Sequence, residues 1–449
     1  MSEWRTTRDE PRPTGTAQAA AALFALGMTA GMLVLLIAFA LYPEERDPTT
    51  SEFEAVRDFA EDHFVQEIDA ERLMVRALHG MLDDLDHYSR YYERDASERV
   101  RREIDGDFRG IGVVFRDPIG EGQILFPVDD SPAMTAGIRP GDRVVEIDGE
   151  SIAGLDGESI RQRLAPRGRS AVDLSVIGLD GERRELTLEP RVLVDPTVRH
   201  AELLDAAPEI GYLTVRAFSN NTAAEFDAAV QALRNAGARG LIIDLRWNYG
   251  GVLDAAVQMV GRFVESGVVV SSEGRRRREV HRADEFETRF AGMPLCVLVD
   301  GESASASEIF AGALQDHRAC VVVGEPTFGK GMLQTTRSFP RFGSRAKVTS
   351  AYFYSPSRRN FERTSDPGRD HGILPDLLVE IDPRTRMAIH RWLGRYDPPL
   401  STLDALFRWE AETGESILPL PPEDPQLEAA IRLMQGERPL PHRIARAED

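Results

Sequence analysis

The sequence predicts an α/β chain of several units, and three observations carry that prediction. From Glu209 to about Asp382, apolar runs, glycine-bearing turns and amphipathic helices alternate, as they do where strands are joined by helical crossovers. From Phe108 to about Arg191, short apolar runs recur between glycine turns at strand spacing. From Ser51 to about Arg102, apolar residues fall at helical spacing: Phe53, Val56, Phe59, Ala60, Phe64 and Ile68, then Leu73, Ala77, Leu78, Met81 and Leu85. The chain has 449 residues and 42% apolar content, room for roughly two to four domains with ordinary cores.

The first element is Ala19 to Tyr42, a charge-free, largely apolar stretch of 24 residues that is long enough to span a bilayer as a helix. Arg5, Arg8 and Arg12 precede it; Glu44, Glu45 and Asp47 come after it, with a single Arg46. The positive-inside rule then leaves residues 1–18 in the cytoplasm and exports the chain beyond Pro43. The expected location is therefore the cell membrane, single-pass, with the remaining domains periplasmic or otherwise extracytoplasmic. Ala38-Phe39-Ala40 resembles a signal-peptidase site, so a cleaved signal peptide is the alternative.

Net charge is −20, from 54 basic and 74 acidic residues, which argues against a general affinity for nucleic acid. Cys296 and Cys320 lie in apolar runs and read as small core residues rather than a bridge. No metal-ligand spacing or HExxH is present, and no cofactor is expected.

The helical region at 51–105 carries no evident chemistry, and His87, after an acidic run, reads as a helix-end or packing residue. At 106–191, strands are expected at Gly110 to Phe115, Gln123 to Val128, Arg143 to Ile147, Ala171 to Ile177 and Glu185 to Leu188. At 192–383, Gly211 to Val215 opens a sheet, and Asn221 to Asn235 forms a helix capped by Thr222. Gly240 to Leu245 is a strand, Arg246 to Gly251 a turn presenting backbone N–H groups, and Val252 to Phe263 a helix. Arg275 to Arg278 is a basic run in a surface hairpin. From Arg384 to the end at 449 the chain reads as a peripheral, helical, proline-interrupted tail.

Chemistry concentrates between Gly301 and Gln334. Pro294 to Asp300 reads as a buried strand, and Ala304 to Gln315 as a helix with Ile309, Phe310, Ala313 and Leu314 on its packed stripe. Ser305 then falls in the first turn, where unpaired N–H groups and the helix dipole favour the negative charge that acyl transfer develops. A serine hydroxyl needs a base, and the nine histidines are scattered. Lys330 is the better candidate. It lies in the glycine-bounded turn Thr327 to Gly331, after the apolar run Ala319 to Val323, where burial near Phe328 and Leu333 would favour the neutral amine. Gln334 carries an amide able to orient that amine toward Ser305 without titrating.

SASASEI followed by TFGKGxxQ resembles the carboxy-terminal processing, or tail-specific, family of serine proteases. The resemblance implies Ser305 as nucleophile, Lys330 as general base, Gln334 as orienting residue and a crotonase/ClpP-like α/β core. It also implies an oxyanion hole from the N–H of Ala306 with that of Gly250 or Gly251, within Asp-Leu-Arg-x-Asn-x-Gly-Gly. Tyr249 stands where the family often has proline, and Gly372-Ile373-Leu374-Pro375-Asp376 matches its closing motif. Residues 106–191 resemble a PDZ domain through Ser131-Pro132-Ala133, Ala136-Gly137-Ile138, Pro140-Gly141-Asp142 and Ile147-Asp148-Gly149. Gly110, Ile111, Gly112 and Val113 stand at its carboxylate-binding loop, with Ile160 or Leu164 across the pocket; Ala165 to Arg169 depart from the usual glycine-rich turn.

The expectation is an exported endopeptidase that binds protein or peptide substrates by their C-termini, with room for an adaptor or an oligomer and one helix in the membrane. Two alternatives are a catalytically inactive PDZ scaffold and an acyl-CoA enzyme of the crotonase type, the latter disfavoured by export away from CoA.

Overall fold

The computed structural model describes residues 15–41, 48–116, 122–165, 170–363, 371–395, 397–398, 400–414 and 421–437. The flanking charges Arg5, Arg8, Arg12, Glu44, Glu45, Arg46 and Asp47, and the rim residues 166–169, lie outside them. The chain divides at Leu78 into two units.

The first unit holds the helices Gly15–Leu41 and Pro48–His63 and begins the helix Ala70–Asp83. Leu23, Phe24 and Met28 of the first helix are exposed. Among the described residues no helix is long and apolar enough to cross a membrane.

In the second unit, the largest sheet runs Val198–Leu204, Ala207–Val215, Gly240–Asp244, Leu295–Val299, Val321–Gly324, Leu377–Leu378. Its first pair is antiparallel and the rest parallel; helices lie in the parallel connections up to Val321–Gly324, and the last connection, to Leu377–Leu378, carries strands instead. Successive side chains point to opposite faces, and here both faces are covered. Leu213, Leu241, Ile243, Val297 and Val299 join a core with the helices Thr222–Asn235, Leu253–Gly261 and Ala306–Asp316. Tyr212, Ile242, Cys296 and Leu298 face the other way, against Ala430 and Leu427 of the helix Pro425–Met434. Both cysteines are free.

A second sheet joins Val268–Gly274 and Arg278–Arg282 to the long strand Ser344–Tyr354. That strand also pairs with Met332–Phe339 and with a three-residue strand, Arg90–Tyr92. The basic run Arg275 to Arg278 caps the first hairpin, as expected.

The unit at 106–191 has the four-stranded order Glu150–Ser151, Arg143–Ile147, Val172–Ile177, Arg183–Leu188, plus two short ribbons. Ile111, Ile124, Val144, Ile147, Ile160 and Leu174 form its separate core. The expected strand Gly110 to Phe115 is broken into Asp107–Gly110 and Val113–Phe115. Gly112 causes the break: its φ is +75°, and a Cβ there would lie 2.2 Å from Ser131 Cβ.

Three further expectations are corrected. Thr222 does not cap its helix; Asn221 holds the cap position and Thr222 Oγ1 accepts the Ser219 N–H at 2.8 Å. His87 lies beyond the helix end and is exposed. The segment after Arg384 is not peripheral. Trp409 and Leu406, on the helix Leu400–Thr413, are buried against Phe126 and pack on Val114 and Leu125 of the 106–191 unit. Asp424 and Gln426 accept hydrogen bonds from the buried Arg246 guanidinium.

Candidate active site

The strand Leu295–Val299 runs into Asp300, which organises the turn before Ser305. Asp300 Oδ1 accepts the N–H groups of Trp247, Glu302 and Ser303 at 3.0–3.1 Å. Burial nevertheless dominates and raises its pKa to about 6, and Oδ2 has no partner among the described residues.

Burial separates the three serines. Ser303 and Ser307 are fully buried, their hydroxyls donating to the carbonyls of Leu245 and Asn248, both at 2.8 Å. Ser305 alone of the three is partly accessible. It occupies the N-cap of the helix Ala306–Asp316 with φ +57° and ψ −113°, backbone geometry that is costly for any residue but glycine. The helix starts two residues later than the sequence suggests, so Ser305 precedes its first turn.

The neighbouring turn is pressed against that strained residue. Asn248 donates its side-chain amide to Val215 O at 2.7 Å, and its own carbonyl accepts the Ala304 N–H at 3.0 Å. Its Oδ1 accepts the Gly250 N–H at 2.9 Å. The N–H groups of Gly251 and Ala306 have no acceptor among the described residues. A Cβ on Gly250 would stand 2.6 Å from Ala304 O and 2.8 Å from Ser305 Cβ; the φ values of Gly250 and Gly251, +97° and +141°, also call for glycine. Tyr249 projects into solvent.

Lys330 is half-buried between Gly329 and Gly331. Burial first, and Lys347 second, lower its pKa, opposed by Glu308 and Glu362. Its Nζ rests 4.9 Å from the ring centre of Tyr88. Among the described residues no hydrogen bond joins Lys330 to Gln334, whose Nε2 donates to Met332 O at 3.1 Å. Nor, among the described residues, does a hydrogen bond join Ser305 Oγ to Lys330 Nζ. Two links join the segments: the Phe328 N–H donates to Ser303 O at 3.0 Å, and Glu308, which sequence reasoning left on the helix, reaches both. Its carboxylate accepts the N–H groups of Ser305, Gly329 and Lys330 at 2.7–2.8 Å. Its place three residues after Ser305, in the capping-box position, was the available signal. Tyr88 had none, because only long-range pairing through Arg90–Tyr92 brings it near.

At the other site, Ile111 is buried, Val113 packs against the same cluster, and Ile160 and Leu164 belong to it. The N–H groups of Ile111 and Gly112 have no acceptor among the described residues, as an anion-binding loop requires.

An α/β sheet bearing an accessible serine at a helix start, with a PDZ-like unit ahead of it, defines a serine hydrolase that handles peptides. Residues 209–379 match peptidase family S41, and residues 127–177 match a PDZ domain. The carboxy-terminal-processing protease of Bartonella bacilliformis is 30% identical over 403 residues, covering 86% of this chain and 87% of that protein. A Staphylococcus saprophyticus protein named "Probable CtpA-like serine protease" is 31% identical over 343 residues, covering 76% of this chain and 67% of its own length. Among solved structures, a photosystem II D1 C-terminal processing protease is 28% identical, with 75% of this chain and 89% of that chain covered and a TM-score of 0.41. The chain belongs to the carboxy-terminal-processing serine proteases of peptidase family S41.

Proposed function

We propose that this chain is an exported, membrane-anchored endopeptidase that captures the carboxyl end of a protein at Gly110 to Val113 and cleaves the adjoining segment by a Ser305/Lys330 acyl-enzyme route. One observation supports the chemistry above all: the accessible, strained Ser305 and the half-buried Lys330, its amine pKa lowered, share one carboxylate between their backbones. The same arrangement disfavours the inactive-scaffold alternative. A crotonase/ClpP-like core is the fold reading that goes with it.

In the proposed reaction, Lys330 swings from the Tyr88 ring to Ser305 and, as the neutral amine, takes the hydroxyl proton while Oγ attacks the scissile carbonyl carbon. The oxyanion is received by the N–H groups of Ala306 and Gly251; Gly250 is set aside as a donor because its N–H already serves Asn248. The C–N bond breaks as the Lys330 ammonium returns its proton to the leaving amine. Water, deprotonated by the same lysine, then opens the ester. Gln334, whose Nε2 donates to Met332 O, keeps its amide oxygen as the acceptor that would orient the Lys330 amine.

Membrane anchoring rests on the uncharged stretch 19–42 and the exposed Leu23, Phe24 and Met28, and stands against the finding that no helix among the described residues is long and apolar enough to cross a membrane. The deciding experiment incubates purified protein with an unfolded substrate ending in apolar residues. Wild type should cleave it, whereas Ser305→Ala should bind the tail and cleave nothing; equal cleavage by both would end the proposal.

A further inference from the structure

We infer that Glu308 is a positioning residue of the hydrolytic site, its buried carboxylate tying the turn that carries Ser305 to the loop that carries Lys330 and holding the two in catalytic register. The inference rests on the Ser305/Lys330 reading and deepens it.

Glu308 is fully buried. Its Oε2 accepts the N–H of Ser305 at 2.7 Å and that of Lys330 at 2.8 Å; its Oε1 accepts the N–H of Gly329 at 2.7 Å and the hydroxyl of Thr327 at 2.6 Å. Burial pushes its pKa up, and these four donors pull it back. Both oxygens are saturated by donors, which only an ionised carboxylate can satisfy together. A helix cap accounts for the Ser305 contact alone. The other three donors come from the lysine loop, and with them a single side chain fixes the backbone on either side of the reacting pair. Thr327 Oγ1 extends the tie by accepting the Ile373 N–H at 2.6 Å.

The charge also reaches the amine. Lys330 faces Glu308 from the helix, Glu362 from the loop that accepts the Gly331 N–H, Lys347 from the long strand, and Tyr88. Glu308 and Glu362 favour the ammonium, and Lys347 with burial the free amine. Removing the Glu308 charge therefore lowers the pH at which Lys330 deprotonates, a readout separate from any loss of fold stability.

The test measures steady-state hydrolysis of a fluorogenic peptide with an apolar free carboxyl end, from about pH 6 to about pH 10, with thermal melts, for wild type, Glu308→Gln, Glu308→Asp and Lys330→Ala. Glu308→Gln should keep KM within about twofold, lose kcat about 100-fold and show its activity midpoint at lower pH than wild type. Glu308→Asp, which keeps the charge but shortens the reach, should lose kcat with an unmoved midpoint. Should Glu308→Gln fail to fold, a folded Glu308→Asp with wild-type kcat overturns the inference. Wild-type kinetics in Glu308→Gln overturn it too, as does an equal loss in both variants that tracks melting temperature and leaves the midpoint in place. An inactive Lys330→Ala beside an unaffected Glu308→Gln sinks only this inference; an active Lys330→Ala sinks the Ser/Lys reading itself.

Discussion

Ser305 sits between two serines that spend their hydroxyls on buried carbonyls, and accessibility singles out the middle one. Lys330→Ala should cut kcat about 1,000-fold while the melting temperature holds, measured on the same tailed peptide. Because burial lowers the Lys330 pKa, the neutral base accumulates at lower pH than for a solvated lysine. Activity should therefore rise with pH to a midpoint below the ordinary lysine value; a flat profile would remove Lys330 as base. Gly250→Ala forces a Cβ into Ala304 O and Ser305 Cβ at positive φ, and kcat should drop about 100-fold or more. Ser305 and Lys330 are readable because their frames are local in sequence: a strand end, a helix start, a glycine pair. The contacts of Gln334 are not, because the bulge between Leu333 and Gln334, with the amide turned to Met332, arises from pairing with Ser344–Tyr354, which periodicity does not reveal.

The helix Leu400–Thr413 works at longer range. Trp409 fills the outer face of the ribbon made by Val113–Phe115 and Ile124–Pro127, where a Cβ on Gly141 would meet its ring at 2.2 Å. Truncation to Trp409→Ala should cost about 3–5 kcal/mol, read as an early unfolding step of the PDZ unit in a denaturant melt; one unshifted transition would contradict it. The turn at Asp300 makes a separate prediction. Its folded pKa of about 6 lies above the ordinary aspartate value of 3.8, so the folded state holds the extra proton. Its contribution to stability is complete below pH 3.8 and lost as pH rises through about 6. Asp300→Asn should flatten that part of a stability-versus-pH curve. The strands and helices of the sheet were legible from apolar runs and stripes. The integration of the tail was not, because Trp409 and Asp424 stand in short, polar-rich segments whose partners lie far away in sequence.

At the scale of the molecule, the sheet buries both faces, one under three helices and the other under Pro425–Met434. The segments that cover it thus include residues far beyond the catalytic motifs. If the stretch 19–42 anchors the chain, the protein should pellet with membranes and resist alkaline carbonate extraction, and a version starting after Pro43 should be released; full extraction of the intact chain would refute the anchor. The order of the two units was visible in the switch from closely spaced strands to strand–helix alternation, and their resemblance to PDZ and peptidase units in the motifs around Ser131 and Ser305. The clasp at Trp409 has a temporal implication as well. Ser401 donates to Asp129 across 272 positions, so a ribosome delivers the 106–191 unit long before the helix that packs on it. Until translation has passed that tryptophan, Phe126 lacks the helix that covers it in the folded chain.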